Sequence, residues 1–237
     1  MKIVAEIPAH LGSKRVKQKN LRLINGKPLI TYAINAAKEA TTLSEIYVNS
    51  ESDVIGDIAK ANGVCFYKRR PELAEDHIVS DQFNYDFLEN VEADILVMVN
   101  PVSPLITGKD IDAVVNYSLE KEFDTVISVK EERLQAFCEG KAINFNPNAL
   151  LPMTQNIPPI QMCSWAVCVW RAETFIESFE SKGYAVFSGK VGFYPLNCIS
   201  AIKISTEEDF QIAEAMLKVR NLIKSKNLIT KGERFRQ

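Results

Sequence analysis

The chain has 237 residues, 28 Lys and Arg against 30 Asp and Glu, and a formal net charge of −2. That length suits one α/β domain with a sizeable core, and the near-balanced charge argues against nucleic acid as the main partner. A hydrophobic content of 46% with 24% charged residues is that of a soluble protein, with no apolar run long enough to span a membrane. The first residues read directly as a strand and not as a secretory leader, so a cytoplasmic setting is expected. Cys65, Cys138, Cys163, Cys168 and Cys198 are odd in number and lack a C-x-x-C pair. They read as small apolar residues in a reducing compartment. His10 and His77, the two histidines, are too few for a histidine-built metal centre.

In chain order, Ile3 to Ala9 reads as a buried strand stopped by Pro8 and a Gly12-Ser13 turn. Leu29, Ile30, Ala33, Ile34 and Ala37 have helical spacing, with Pro28 near the first turn. Ile46 to Val48 predicts a strand; Ser52 caps a helix ended by Gly63; Val64 to Tyr67 is a further strand. A helix is expected from about Ser80 to Glu89. Ile95 to Val99, bounded by Asp94 and Asn100-Pro101, suits a central parallel strand. Thr107 opens a helix reaching Lys121, and Thr125 to Val129 is a strand. This alternation predicts an α/β fold, a Rossmann-like and mostly parallel sheet with helices on both faces. The rhythm breaks over 131–161, where Pro147, Pro152, Pro158 and Pro159 mark an excursion or arm. It resumes with a strand at Ser164 to Trp170, a helix at Ala172 to Ser181, strands at Val191 to Pro195 and Ala201 to Ile204, and a helix from Thr206 to about Ile223. Residues 1–225 therefore form one domain, and 226–237 a basic C-terminal tail.

Between His10 and Arg22 stand Lys14, Arg15, Lys17, Lys19 and Arg22 with no acidic residue. A solvated basic loop has the same composition. Its place just after the first strand favours an anion site instead, because ligands of open α/β sheets bind at the carboxyl ends of strands. Backbone N–H groups and cations there can share phosphate oxygens.

Ile7-Pro8-Ala9-x-x-Gly12-Ser13-Lys14-Arg15-Val16-x-x-Lys19-Asn20-Leu21, followed by Gly26-Lys27-Pro28-Leu29-Ile30, resembles the opening of the CMP-sialate synthetase (acylneuraminate cytidylyltransferase) family. The resemblance extends through Arg70-Pro71-Glu72-Leu73-Ala74, Asn100-Pro101-Val102-Ser103-Pro104-Leu105 and Glu207 to Glu214. It covers roughly residues 3 to 216. It implies transfer of CMP from CTP to a 2-keto sugar acid with release of pyrophosphate, and a homodimer joined through the 131–161 insertion. By residue, it implies nucleotide contacts from Ala9, His10, Gly12, Ser13, Lys14, Arg15, Lys19, Asn20, Arg70 and Asn100. Sugar contacts would come from Asn100, Pro101, Ser103, Gln155 and Ser164. On the residues alone, the alternative for Arg70 is a loop salt bridge with a nearby acid, and for Pro101 and Pro104 simple strand termination.

The departures are specific. His10 replaces the family's usual Arg. Lys203 and Ser205 replace an Asp-x-Asp pair that holds Mg²⁺, and neither makes a hard-cation ligand pair. Ser164-Trp165-Ala166 stands for Asn-Gly-Ala. Nucleotidyl transfer requires an acceptor hydroxyl in line with the departing pyrophosphate, neutralised leaving-group charge and exclusion of water. Lys14, Lys19 and Lys203 are the candidate catalytic cations; Mg²⁺ is expected to arrive with CTP, with no metal-ligand residues on the chain. Glu207, Glu208 and Asp209 read as helix-capping acids. The leading expectation is a cytidylyltransferase for a nonulosonate-like acid destined for a surface glycan; the alternative is a degenerate homologue that binds nucleotide or a partner without turnover. No G-x-G-x-x-G follows the first strand, so a nicotinamide dehydrogenase is set aside.

Overall fold

A computed structural model describes residues 1–12 and 15–234, and side chains through residue 223. Seven strands form one sheet: β1 (Ile3–Pro8), β2 (Glu45–Ser50), β3 (Cys65–Lys68), β4 (Ile95–Val99), β5 (Thr125–Glu132), β6 (Ile160–Arg171) and β7 (Val191–Pro195). Their spatial order is β7-β5-β6-β4-β1-β2-β3. All neighbours are parallel except β6, which runs antiparallel to both β4 and β5. The chain starts at β1, builds outward through β2 and β3, then returns to β4 on the other side of β1. That reversal opens a crevice between β1 and β4 at their carboxyl ends.

Side-chain alternation sorts the core. Ile3, Ala5, Ile7, Ile95, Val97 and Val99 face α1 (Ile30–Glu39), α2 (Asp53–Ala61) and α4 (Gly108–Glu120). Val4, Leu96 and Met98 face α3 (Ser80–Asn90) and α5 (Ala172–Lys182), with Phe87 and Phe175 fully buried there. Burial on both faces is why these central strands read as continuous apolar runs. A third cluster joins Val16, Ile24 and Leu29 of the segment after β1 to Phe210, Ala213 and Leu217 of α6 (Glu207–Arg234). α6 thus braces the cationic loop from behind. Arg22 adds to the brace: its guanidinium pairs with both oxygens of Glu207 and lies 4.0 Å from the Phe210 ring centre.

Helix signals in the sequence have their expected partners. The Ser52 hydroxyl accepts from Ile55 N, and Gly63 closes α2 at φ +71°. Thr107 accepts from Asp110 N while Asp110 accepts from Thr107 N, a reciprocal cap. Two expectations differ. The strand expected at Ala201 to Ile204 is the end of a turn followed by irregular chain, because its backbone groups are used elsewhere. Ile204 N donates to Val102 O at 2.8 Å, and the Ile204 carbonyl accepts from Lys19 Nζ at 2.8 Å. The last helix continues to Arg234, past the expected end near Ile223 and into the segment read as a tail. Residues 235–237 lie outside the described residues. Between β5 and β6 the chain makes a small ribbon pairing Phe137–Cys138 with Lys141–Ala142, then a 3₁₀ turn at Thr154–Asn156. This is the proline-rich excursion, and it leaves Phe137, Ile143, Leu150 and Leu151 exposed.

The first turn of α4 lies against the end of α1. A Cβ on Gly108 would stand 2.5 Å from the backbone carbon of Glu39 and 2.7 Å from Ala40 N, atoms that cannot swing aside. Gly108→Ala is expected to cost about 2 kcal/mol through forced separation of the helices, read as a lower urea midpoint at unchanged slope.

Candidate active site

The crevice at the β1/β4 reversal holds two adjoining cavities. One, of about 390 Å³, runs from Arg69, Ser80 and Phe83 past Ala9, His10, Lys19 and Asn20 to Asn100, Pro101, Trp165 and Lys203. The other, of about 440 Å³, lies under the loop among His10, Gly12, Arg15, Val16 and Lys19, with Glu75 and Asp76 on its far wall. His10 and Lys19 border both. Strand order gives the first cavity two wings. The β2–β3 side carries Arg69 and α3's Ser80 and Phe83, the β4–β6 side carries Asn100, Pro101 and Trp165, and the cationic loop lies between.

The loop is held from beneath. Ala9 N donates to Asn49 O at 3.0 Å, continuing the β1–β2 ladder by one residue. Asn20 is buried, and its Nδ2 donates to the His10 carbonyl at 3.2 Å. The Asn20 Oδ1 and His10 Nδ1 atoms are buried without a hydrogen-bond partner, so the loop carries polar capacity that its own fold leaves unused. Gly12 sits close to the imidazole: a Cβ there would approach His10 Nδ1 to 3.2 Å, so a larger residue needs that ring to shift by a few tenths of an ångström. Ser13 and Lys14, assigned to nucleotide binding and in the case of Lys14 to catalysis, lie outside the described residues.

Lys19 is the electrostatic centre. Burial, then the positive charges of Arg15 and Lys203, push its ammonium down from 10.5 to about 8, against a smaller opposing pull from Asp209. Lys203 is likewise lowered, first by burial and then by Arg15. Ammonium groups disfavoured by burial and by a neighbouring guanidinium are stabilised by any anion that enters.

Asp209 accepts from Ser205 N and Thr206 N, both at 2.8 Å, and so caps α6. Glu207 is engaged by Arg22, and Glu208 is exposed. Among the described residues no three His, Cys, Asp or Glu side chains gather where they could hold a metal ion. Lys203 offers only donors, and a protein-held Mg²⁺ does not fit these positions.

Several residues assigned from the sequence do not line the cavities. Arg70 donates to Asp86 Oδ1 from Nε at 3.0 Å and from a terminal nitrogen at 2.7 Å, the loop salt bridge that was the alternative reading. Its neighbour Arg69 lines the cavity instead. Ser103 is fully buried beneath the Asn100 turn, and Ser164 bonds Ser128 at 2.9 Å within the β5–β6 pairing. Gln155 is exposed on the arm, beside Met153. Asn100 and Pro101 do line the cavity, and Asn100 Oδ1 also accepts from Val102 N at 3.3 Å.

Arg69 rests on a buried relay. Its Nε donates to Asn49 Oδ1 at 2.7 Å, Asn49 Nδ2 donates to Glu6 Oε1 at 2.5 Å, and its guanidinium lies 4.4 Å from the Phe83 ring centre. Glu6 is fully buried and its Oε2 has no partner. Burial outweighs the opposing pull of Arg69 and Asn49 and raises its carboxyl from 4.5 to about 7. Trp165, in the β6 bulge where pairing with β5 shifts register, adopts φ +59°. For a bulky side chain that conformation costs roughly 1–3 kcal/mol. Arg69 and Trp165 were not picked out from the sequence; the only signals were the doubled Arg after a strand and a Trp standing where the resembling motif has Gly.

A cytidylyltransferase family model matches residues 4–195. The chain belongs to that cytidylyltransferase family. It is 27% identical over 222 residues to the N-acylneuraminate cytidylyltransferase of Streptococcus agalactiae serotype V, covering 89% of this chain and 52% of that protein. It is 29% identical over 241 residues to the CMP-N,N'-diacetyllegionaminic acid synthase of Legionella pneumophila, covering 92% and 97% respectively. The chain spans about half the length of the N-acylneuraminate cytidylyltransferases of S. agalactiae and Danio rerio that it matches. Its fold is similar to that of a CMP:2-keto-3-deoxy-manno-octonic acid synthetase solved with CTP. That likeness has a TM-score of 0.72 at 15% identity and covers 93% of this chain and all of the other.

Two pH responses follow. Glu6 keeps its proton in the folded state up to about pH 7 but loses it near 4.5 when unfolded. The Glu6 contribution to stability should therefore be fully present below about pH 4.5 and be lost, by roughly 3 kcal/mol, as pH rises through 7. Urea titrations of Glu6→Gln should lack that slope. Lys19 is charged below about pH 8 and neutral above it, so triphosphate affinity should weaken several-fold between pH 7 and 9. Lys19→Arg, measured by calorimetry, should flatten that decline.

Proposed function

We propose that this chain transfers CMP from CTP to a 2-keto sugar acid of the nonulosonate kind and releases pyrophosphate. The observation that carries this reading is the row of cations, with Lys19 and Lys203 depressed by burial and by Arg15, between two ligand-sized wings in a chain of the cytidylyltransferase family. Displacement at the α-phosphorus needs that arrangement: nucleoside on one side, acceptor hydroxyl on the other, and positive charge where the leaving pyrophosphate gathers electrons. In this reading Lys19, Arg15 and Lys14 neutralise the pyrophosphate, while Lys203 faces the reacting phosphate from the α6 side. Arg69, Ser80 and Phe83 form the nucleoside wing. Asn100 and Pro101 begin the acceptor wing.

Support for a sugar-acid acceptor comes from relatives named for acylneuraminate and legionaminate synthesis. A cytoplasmic enzyme supplying an activated sugar to a surface glycan is the setting that suits this chemistry. Mg²⁺ enters, in this reading, with CTP. Exposed Phe137, Ile143, Leu150 and Leu151 on the arm support a homodimer built through it. The substitution of Lys203 and Ser205 at the metal positions favours one second reading, a homologue that binds nucleotide without turnover.

A pyrophosphate-release assay with all four nucleoside triphosphates and a panel of 2-keto sugar acids separates the two. The enzyme reading expects release with CTP plus at least one acid; tight CTP binding with no release on any acid would support the second. On the active pair, Lys203→Ala should lower kcat at least 100-fold with the KM for CTP changed far less. An unaffected rate would remove Lys203 from the reaction.

A further inference from the structure

Trp165 departs from what its strand needs. A β-bulge can be made by a glycine at positive φ without strain, yet here the position carries the largest side chain available. Its indole is only partly buried: one side packs against the core cluster that α3 and α5 cover, while it also lines the cavity beside Asn100, Pro101 and Lys203 and meets the edge of the half-exposed Phe187, centroids 5.9 Å apart. The antiparallel run of β6 brings it to the carboxyl end of β4, across the cationic row from Arg69 and Phe83. The neighbouring backbone is fixed, since Asn100 N donates to Ala166 O at 2.9 Å and Ser164 is tied to Ser128. A rigid aromatic face is thus held at the edge of the acceptor wing.

We propose that Trp165 is a specificity-determining residue for the acceptor, its indole packing on an apolar substituent such as an acylamino methyl group of the sugar acid. An unsubstituted polyhydroxylated acid would leave that face against polar hydroxyls and gain nothing from it. The inference rests on the cytidylyltransferase reading above and narrows its substrate class to acylated acids. Backbone strain retained under a ring that lines the cavity is accounted for by a ligand that uses the ring.

The test uses Trp165→Phe and Trp165→Asn, since Asn tolerates the left-handed conformation. Acceptors are compared in pairs differing only by an acylamino group against a hydroxyl. Wild type should favour the acylated member. Trp165→Asn should lose about 10-fold or more in kcat/KM on that member, little on the other, with the KM for CTP and the melting temperature held. Trp165→Phe should keep the preference. A second readout needs no turnover. The chain has two tryptophans, and Trp170 is fully buried, so a saturable fluorescence change on adding an acylated acid to protein with CTP should vanish in Trp165→Phe. Equal losses on both acceptors, a rise confined to the KM for CTP, or no loss would overturn the proposal while leaving the cytidylyltransferase reading intact. Fluorescence saturation by the acylated acid without any pyrophosphate release would uphold Trp165 and sink the catalytic reading. Neither release nor a fluorescence response would overturn both.

Discussion

The site depends on repulsion among cations that the fold keeps together. Lys19, Arg15 and Lys203 come from opposite ends of the chain; burial, and after it the charge of Arg15, lowers the proton affinity of both lysines, and Lys203 lowers that of Lys19 further. Asp209, which pulls Lys19 the other way, is already used on the amides of Ser205 and Thr206 just ahead of α6, while Glu75 and Asp76 line the cavity that Arg15 and Lys19 share. The Lys19 ammonium is anchored to the Ile204 carbonyl, so it cannot relieve the repulsion by swinging away. In the proposed reading an entering polyphosphate converts this unfavourable concentration of charge into binding energy.

The frame around that row explains why it persists. β1 and β4, buried on both faces, bring Ala9 and Asn100 to the two sides of the reversal, and α6 clamps the loop through Val16, Leu29 and Phe210. Beneath the nucleoside wing, Glu6 and Asn49 fix Arg69, so that a guanidinium with little freedom faces the cavity. The opposite wing is set by the β6 bulge. In the proposed reading one sheet positions two different ligands and the charge between them, with loops contributing side chains over that scaffold.

Much of this was legible in the residues. Apolar runs with helical patterns between them specified the sheet, and Ser52, Gly63 and Thr107 marked helix ends that the backbone observes. The cationic loop was legible because charge without counter-charge after a first strand has few structural uses. Less legible was anything decided by direction. Arg69 and Arg70 are adjacent and chemically alike; only the course of the chain beyond β3 sends one into the cavity and the other to Asp86. Ser164 reads as a ligand-binding polar residue but is consumed by Ser128 across the sheet. The segment Ala201 to Ile204 has strand composition, yet its backbone serves Val102 and Lys19. Glu6 could not be read at all, since a lone acid in an apolar strand gives no sign of its partners Asn49 and Arg69.

A structure of the protein with CTP and Mg²⁺ bound measures the central claim most directly. The account predicts the triphosphate lying across His10, Lys19 and Asn20 with Lys203 within ion-pair reach of a phosphate oxygen, and the cytosine toward Arg69 and Phe83. Phosphates bound elsewhere, or the loop cations closed onto Glu75 and Asp76 with the nucleotide excluded, would contradict it.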